Sequence, residues 1–245
     1  MKILQHTVIL ESMTPEPLEL IKRMGQKCWQ SESKRTPEQF AKMLINKTHE
    51  SVLEHASMSV SIITDRGITH EIVRHRIGCS YSQESTRYVK YDGDMEVMDQ
   101  GLKDLGFDSF ESAIHKIEDT YAGLIKDGNK AQVARSVLPN ALKADIGMTA
   151  NFKAWRHFLK LRLSPAAHPS IRKISRAIHN LLPPVITSDI CIGCGNKPYE
   201  WDSCDFQDDD VCIGQQILGN DGIIAWESRF GAPPPDRLFP LCKCK

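Results

Sequence analysis

No apolar run in the 245 residues approaches the roughly 18 that a membrane-spanning helix needs, and MKILQHTVILES is too polar and too short for a signal peptide. These absences predict a cytoplasmic protein with no membrane partner. Net charge is also missing: 31 basic side chains face 31 acidic ones. That balance argues against the basic footprint of a nucleic-acid-binding domain. It is uneven, however, with 26 basic and 21 acidic groups in residues 1–188 against 5 and 10 in 189–245. The mild excess in the body suits small anionic molecules. Cysteine is nearly absent from the body, where only Cys28 and Cys79 occur, so a secreted disulfide framework is excluded there. Internal repeats and low-complexity segments are lacking too.

What is present reads as an α+β domain, residues 1–187, with a central mixed or antiparallel sheet flanked by several helices. Residues 2–11 alternate as a first strand. TPEPLELIKRMGQKCW predicts a helix capped by Thr14, and TPEQFAKMLINK a second with Thr36 as cap and Gln39 completing a capping box. Met58, Val60 and Ile62 alternate with Ser57, Ser59 and Ser61, which predicts a half-buried strand over 56–64, and a third strand is expected near 85–92. ITHEIVRHR reads as a short helix. Ser109 is the expected cap of a helix that Gly128 ends, and further helices are expected at 129–138, 148–163 and 167–182. Pro183 and Pro184 close the pattern, leaving 188–245 as a Cys-rich, acidic extension.

The helix MTANFKAWRHFLKLRL carries an anomaly. Phe152, Trp155, Phe158 and Leu159 share one face, and Arg162 falls in the middle of it. Such an arginine either meets a buried anion or acceptor, or caps carbonyls in the last turn and reaches to water. A second concentration is VRHRIGCSYSQESTRYVKY, where Arg74, His75, Arg76 and Arg87 lie beside Ser85 and Thr86. With Arg135 of VARSVLP, these guanidinium groups have the paired donors that match phosphate and carbonyl oxygens. The alternative is a solvated basic edge over packed tyrosines. THESVLEH sets His49, Glu54 and His55 before a strand, without a third ligand at zinc-like spacing.

RHRIGCSYSQESTRY resembles the signature of the flavin-dependent thymidylate synthases, and HESVLEH, ITHEIVRHR, VARSVLP and TANFKAWRHFLKLRLSPAAHPSIRKI extend the resemblance, in order, across about residues 1–185. The resemblance implies a homotetramer that makes thymidylate from deoxyuridylate (dUMP), with methylenetetrahydrofolate as carbon donor, FAD as redox carrier and NADPH as reductant. By the same resemblance Arg74, His75, Arg76, Asn151 and His157 would bind the flavin, and His49 would stand at the flavin and folate entrance. Glu71, Glu84, Ser85, Thr86, Arg87 and Arg135 would hold the nucleotide. Arg162 would bind its uracil ring and serve as the catalytic cation. Eight residues, rather than the family's seven, separate Arg76 from Ser85, and Lys153 stands where an arginine is frequent.

The Pro-Cys-Gln context of the flavin-free thymidylate synthases is missing. Ser85 has no evident base partner and is assigned to binding. In the extension, Cys191 and Cys194 form a CIGC knuckle that Cys242 and Cys244 would complete as a structural zinc site. Two other functions are compatible with parts of this pattern: hydroxymethylation of a pyrimidine deoxynucleotide on the same site, and a nucleic-acid-binding module using arginines and tyrosines.

Overall fold

A computed structural model of the chain describes residues 1–193 apart from Ser31, 92–94 and 103–104. Its strands are β1 (Lys2–Leu4), β2 (Thr7–Met13), β3 (Ser57–Asp65), β4 (Cys79–Gln83), β5 (Glu96–Met98) and β6 (Lys143–Asn151). Its α-helices are α1 (Pro17–Trp29), α2 (Pro37–Asn46), α3 (Arg66–Ile72), α4 (Leu105–Lys126), α5 (Ala131–Ala134), α6 (Phe152–Arg162) and α7 (Pro169–Leu181). Short 3-10 helices occupy Glu50–His55 and Arg135–Val137. The fold is α+β, as the sequence predicts. No helix among the described residues is long and apolar enough to cross a membrane.

Four strands form a sheet in the order β2-β3-β6-β4. Partner numbers fall along β6 as they rise along β3, with Ala56 bonded to Phe152, Ser59 to Thr149 and Arg66 to Leu142, so this pair is antiparallel. β4 and β6 pair likewise, Gly78 meeting Asn151 and Glu84 meeting Asp145. β1 and β5 make a separate parallel ribbon, Lys2 opposite Glu96 and Leu4 opposite Met98.

The chain divides into two compact units. The first comprises Met1–Thr7, Ile62–His75 and Tyr81–Gly147. Met95, Val97, Ile114 and Leu142 are buried together there, with Phe110, Ile117 and Tyr91 packed against them. The second comprises, of the described residues, Val8–Ser61, Arg76–Ser80 and 148–193. Its buried side chains include Ile21, Phe40 and Leu44 of α1 and α2, Trp155 and Phe158 of α6, and Ile171, Ile174 and Ile178 of α7. The Trp155 indole donates to the Met58 carbonyl at 3.1 Å, and tight packing continues at Gly25, where a Cβ would lie 2.6 Å from the Phe40 ring.

Several sequence expectations hold. Thr36 and Gln39 form the capping box, and Met58, Val60 and Ile62 are buried while the intervening serines are half-buried. Others need correction. Thr14 does not cap α1; it exchanges backbone and hydroxyl hydrogen bonds with Ser57, and the helix starts instead at Pro17 after Glu16 at φ 45°. Ser109 lies inside α4, which begins four residues earlier, although Gly128, at φ 85°, does follow its end. α3 starts at Arg66 because Asp65 accepts from the Ile68 amide at 2.7 Å, and it ends at Ile72 rather than Arg76. The strand expected near 85–92 is replaced by β4, and the expected helix over 129–138 is the short α5 followed by a 3-10 turn. Residues 148–151 belong to β6 rather than to a helix: Ala144, Ile146, Met148 and Ala150 alternate inward.

Candidate active site

In the first unit, the end of α3 is fixed by a tyrosine. The Tyr81 hydroxyl is hydrogen-bonded to the carbonyl of Ile72, an acceptor that the terminating helix leaves over, and to that of His75 just beyond it. His75 is buried, while Arg74 beside it is exposed and Glu71 half-buried.

The next segment forms a tight turn. The Ser85 carbonyl accepts from the amides of Tyr88 and Val89, both at 3.1 Å, and the Ser85 hydroxyl accepts from the Arg87 amide at 3.3 Å. Thr86 is buried and its hydroxyl accepts from Arg135 at 3.3 Å. The Arg87 guanidinium lies 5.4 Å from the centre of the Tyr88 ring. Ahead of the turn, Glu84 receives a hydrogen bond from Tyr91 at 2.7 Å and an ion pair from Lys143 at 3.2 Å. Burial, and then the hydrogen bond to Glu84, push the Tyr91 hydroxyl above the usual phenol range, so it stays a donor.

The structure thus brings Glu84, Ser85, Thr86, Arg87 and Arg135 together within one unit. Arg87 and Arg135 are both exposed, and their partners among the described residues are neutral. Cations held by neutral groups, with N–H donors facing water, can take an anion without first breaking an ion pair. A phosphate monoester fits this donor set.

The second unit holds the remaining candidates. His49 is exposed at the start of the 3-10 turn Glu50–His55; its amide donates to the Leu44 carbonyl at 2.9 Å, and its ring stacks on Trp29 with centroids 6.2 Å apart. Asn151 caps α6, accepting from the Ala154 amide at 2.8 Å. Its own amide donates to the Gly78 carbonyl. Gly78 has φ 73°, and a Cβ there would stand 2.6 Å from the Asn151 side-chain nitrogen. Only glycine fits this approach without displacing Asn151. His157 and Arg76 are exposed and Arg162 is half-buried. Exposed imidazoles, a guanidinium and a carboxamide held beside glycine backbone supply donors of the kind that a flavin ring and a pyrophosphate accept, so this set fits FAD by its chemistry. Lys153 pairs with Glu54 at 2.6 Å, both about half-exposed, a contact contributing about 0–1 kcal/mol.

Sequence reasoning singled out Arg162 but missed Arg156, which is fully buried. All five of its N–H donors are taken. One terminal nitrogen donates to Asp189 at 2.6 Å and to the Ile186 carbonyl; the other donates to Asp189 and to Glu50, both at 2.8 Å; Nε donates to Glu50 at 3.3 Å. Burial alone would lower the Arg156 pKa, but the two carboxylates outweigh it and the net direction is upward. The missed signal was the i, i+4, i+7, i+11 series Phe152, Arg156, Leu159, Leu163, whose apolar members are all buried.

Of the proposed zinc ligands, Cys191 is half-buried, while Cys194, Cys242 and Cys244 lie outside the described residues. Among the described residues no group of three or more His, Cys, Asp or Glu side chains could hold a metal ion.

The sequence profile of the family described as "Thymidylate synthase complementing protein" matches residues 9–186. The chain belongs to this family, that of the flavin-dependent thymidylate synthases. A flavin-dependent thymidylate synthase of Mycobacteroides abscessus is 36% identical over 181 residues, covering 64% of this chain and 72% of that one. Its counterpart in Mycobacterium avium is 35% identical over 179 residues, covering 64% and 71%.

Two solved structures share the fold. Thymidylate synthase X from Helicobacter pylori, crystallised with FAD and dUMP, has a TM-score of 0.60 at 22% identity, covering 74% of this chain and 94% of that one. The UMP/dUMP methylase PolB from Streptomyces cacaoi, bound with 5-Br dUMP, has a TM-score of 0.66 at 21% identity, covering 77% and 96%. Apart from the four cysteines, every candidate site residue lies inside the family match. Asp189, which holds Arg156, lies just outside it.

Proposed function

We propose that this flavin-dependent thymidylate synthase family member converts dUMP to dTMP, taking the one-carbon unit from methylenetetrahydrofolate and reducing equivalents from NADPH. FAD, when bound, supplies the redox chemistry that passes these equivalents to the transferred carbon. The observation that carries the reading is the turn Ser85–Arg87 with Arg135 bonded to Thr86 within it, exposed guanidinium donors inside a family-matched span.

Each residue then has a task. Ser85, Thr86, Arg87 and Arg135 bind the nucleotide phosphate, with Glu71 beside them. Glu84, whose carboxylate is occupied by Tyr91 and Lys143, acts by fixing the turn that follows it. Arg162 binds a uracil carbonyl and stabilises negative charge as it develops on the ring, which activates carbon 5 without a covalent enzyme adduct. Arg74, His75, Arg76, Asn151 and His157 hold the flavin, and His49 lines the folate and flavin entrance. The working form is a cytoplasmic homotetramer whose active sites draw on more than one subunit. Residues 188–245 form an appended segment in which Cys191, Cys194, Cys242 and Cys244 bind zinc; stoichiometric zinc in purified protein is the expected result, and its absence removes that site.

The test is the visible spectrum of protein reconstituted with FAD and desalted, before and after dUMP. Retained flavin bands that shift on adding dUMP are expected; a chain that retains no flavin overturns the reading. Product mass separates methyl from hydroxymethyl transfer, and turnover of UMP against dUMP fixes the sugar, since the PolB neighbour is named for both. Arg162→Ala should abolish turnover while leaving flavin bound.

A further inference from the structure

The Arg156 cluster lies outside every task assigned above, yet it adjoins two of them. His157 follows Arg156 on α6, and Glu50 follows His49. Arg156 is fully buried, with Glu50 and Asp189 about one-quarter exposed. Lys160, one turn on, reaches the same two carboxylates at 4.0 and 3.8 Å. Glu50 opens the 3-10 turn Glu50–His55, and His49 is the residue that starts it. Its φ and ψ of −84° and 49° belong to neither helix nor strand, so the helical hydrogen-bond pattern does not by itself fix the His49 ring. Three contacts surround it: the ring stacks on Trp29, the Leu44 carbonyl holds its amide, and Arg156 holds the next residue's carboxylate.

We propose that Arg156, Glu50 and Asp189 form a positioning clamp that sets His49 for the reaction, and that the catalytic fold therefore includes Asp189, beyond the family-matched span. Asp189 takes two of the five guanidinium N–H groups in a bidentate pair and so fixes the plane of the fork. With that plane fixed, Nε and one terminal nitrogen both aim at a single Glu50 oxygen. Loss of Asp189 frees the fork to rotate, so Glu50 loses its anchor and His49 is left with the Trp29 and Leu44 contacts. The segment after Pro183–Pro184 thus closes back onto α6 and α7: the Ile186 carbonyl and Asp189 meet Arg156 on α6, and the Ile190 carbonyl meets His179 on α7 at 3.3 Å. Lysine at 156 would not substitute, since one ammonium lacks the planar fork that spans both carboxylates.

The functional half of this inference rests on the reading of His49 as an entrance residue, so the test has two arms. In full-length protein carrying 13C-labelled histidine, the His49 ring signal is assigned as the one lost in His49→Gln. Asp189→Asn, which keeps an acceptor and the side-chain shape, should shift that signal. Asp189→Glu should restore it in part, and Arg156→Lys should not.

The second arm is kinetic. Misplacing a group by about 1 Å can cost on the order of 100-fold; for Asp189→Asn a rise of about tenfold in the KM for folate is expected, with the KM for dUMP unchanged. A merely structural Asp189 would lower thermal stability while leaving the His49 signal and the folate KM where they were, and that result overturns the proposal. A shifted His49 signal with unchanged folate KM also overturns it, because the clamp then positions nothing the reaction uses. If the wild-type chain makes no thymidylate at all, the proposed function fails, and the His49 signal alone decides whether the clamp exists.

Discussion

Two arginine clusters, one in each unit, use the residue in opposite ways. Around Ser85–Arg87 in the first, Arg87 and Arg135 are exposed and rest on neutral groups, an aromatic ring and a threonine hydroxyl. In the second, Arg156 is buried and saturated by two carboxylates and a carbonyl. A guanidinium without a counter-charge retains its attraction for an incoming anion. One already neutralised has none left, and serves to hold protein to protein. The partner, not the residue type, separates a binding arginine from a structural one.

Stability should show the difference most strongly. Arg156→Ala leaves Glu50 and Asp189 sharing, among the described residues, the Lys160 cation alone, and breaking a buried pair from one side costs about 3–5 kcal/mol. Arg87→Ala should change stability by no more than about 0.5 kcal/mol, as exposed substitutions usually do. Urea denaturation of the two variants measures both values, and equal losses would erase the distinction drawn between the units.

Ligand affinity should reverse the ranking. A hydrogen bond to a charged group contributes about 1.5–3 kcal/mol, so Arg87→Ala and Arg135→Ala should each weaken dUMP binding by roughly 10- to 100-fold. Titration calorimetry with dUMP reads this directly. Both variants should keep the wild-type melting temperature.

Gly78 tests the second unit's other constraint. Alanine there must accept a left-handed backbone, at about 1–2 kcal/mol, and would also press on Asn151. Gly78→Ala should lower the melting temperature and release FAD on desalting. Gly101, whose φ is 68° and where a Cβ meets nothing within 4 Å, is the control: Gly101→Ala should share the backbone cost alone and retain flavin.

How far the sequence discloses this contrast depends on the physics of each element. The β3 alternation and the Thr36 capping box were legible because each is a local pattern satisfied by near neighbours. β6 was not, although Ala144, Ile146, Met148 and Ala150 alternate, because alanine, glycine and methionine favour no strand and α6 follows without a break. The strand expected near 85–92 is a turn instead: threonine, tyrosine and valine favour a strand there, but the Ser85 carbonyl, accepting two amides, overrides that propensity. The residues proposed to bind the nucleotide were nameable because the resemblance carries them. Arg156 was not, since its partners are 106 and 33 residues away and nothing local marks them.

Acid should separate the parts of the second unit most finely. Burial holds His179 below its ordinary 6.5, so as pH falls through 6.5 the unfolded chain takes up a proton that the folded chain refuses, and stability declines. Burial pushes Asp189 up, but hydrogen bonds from Arg156 and its charge outweigh this and hold the carboxyl below 3.8. The stability Asp189 contributes is therefore complete above 3.8 and is lost as pH falls through its lower folded value. Denaturation midpoints followed from neutral pH into acid should show two successive declines. His179→Gln should flatten the first and leave the second, whereas Asp189→Asn should flatten only the second. Arg87→Ala should change neither, since its guanidinium meets no carboxylate among the described residues. If Asp189→Asn instead flattened the decline that begins near 6.5, the clamp and the histidine would be one cooperative latch on the segment after Pro184, with acid opening both together.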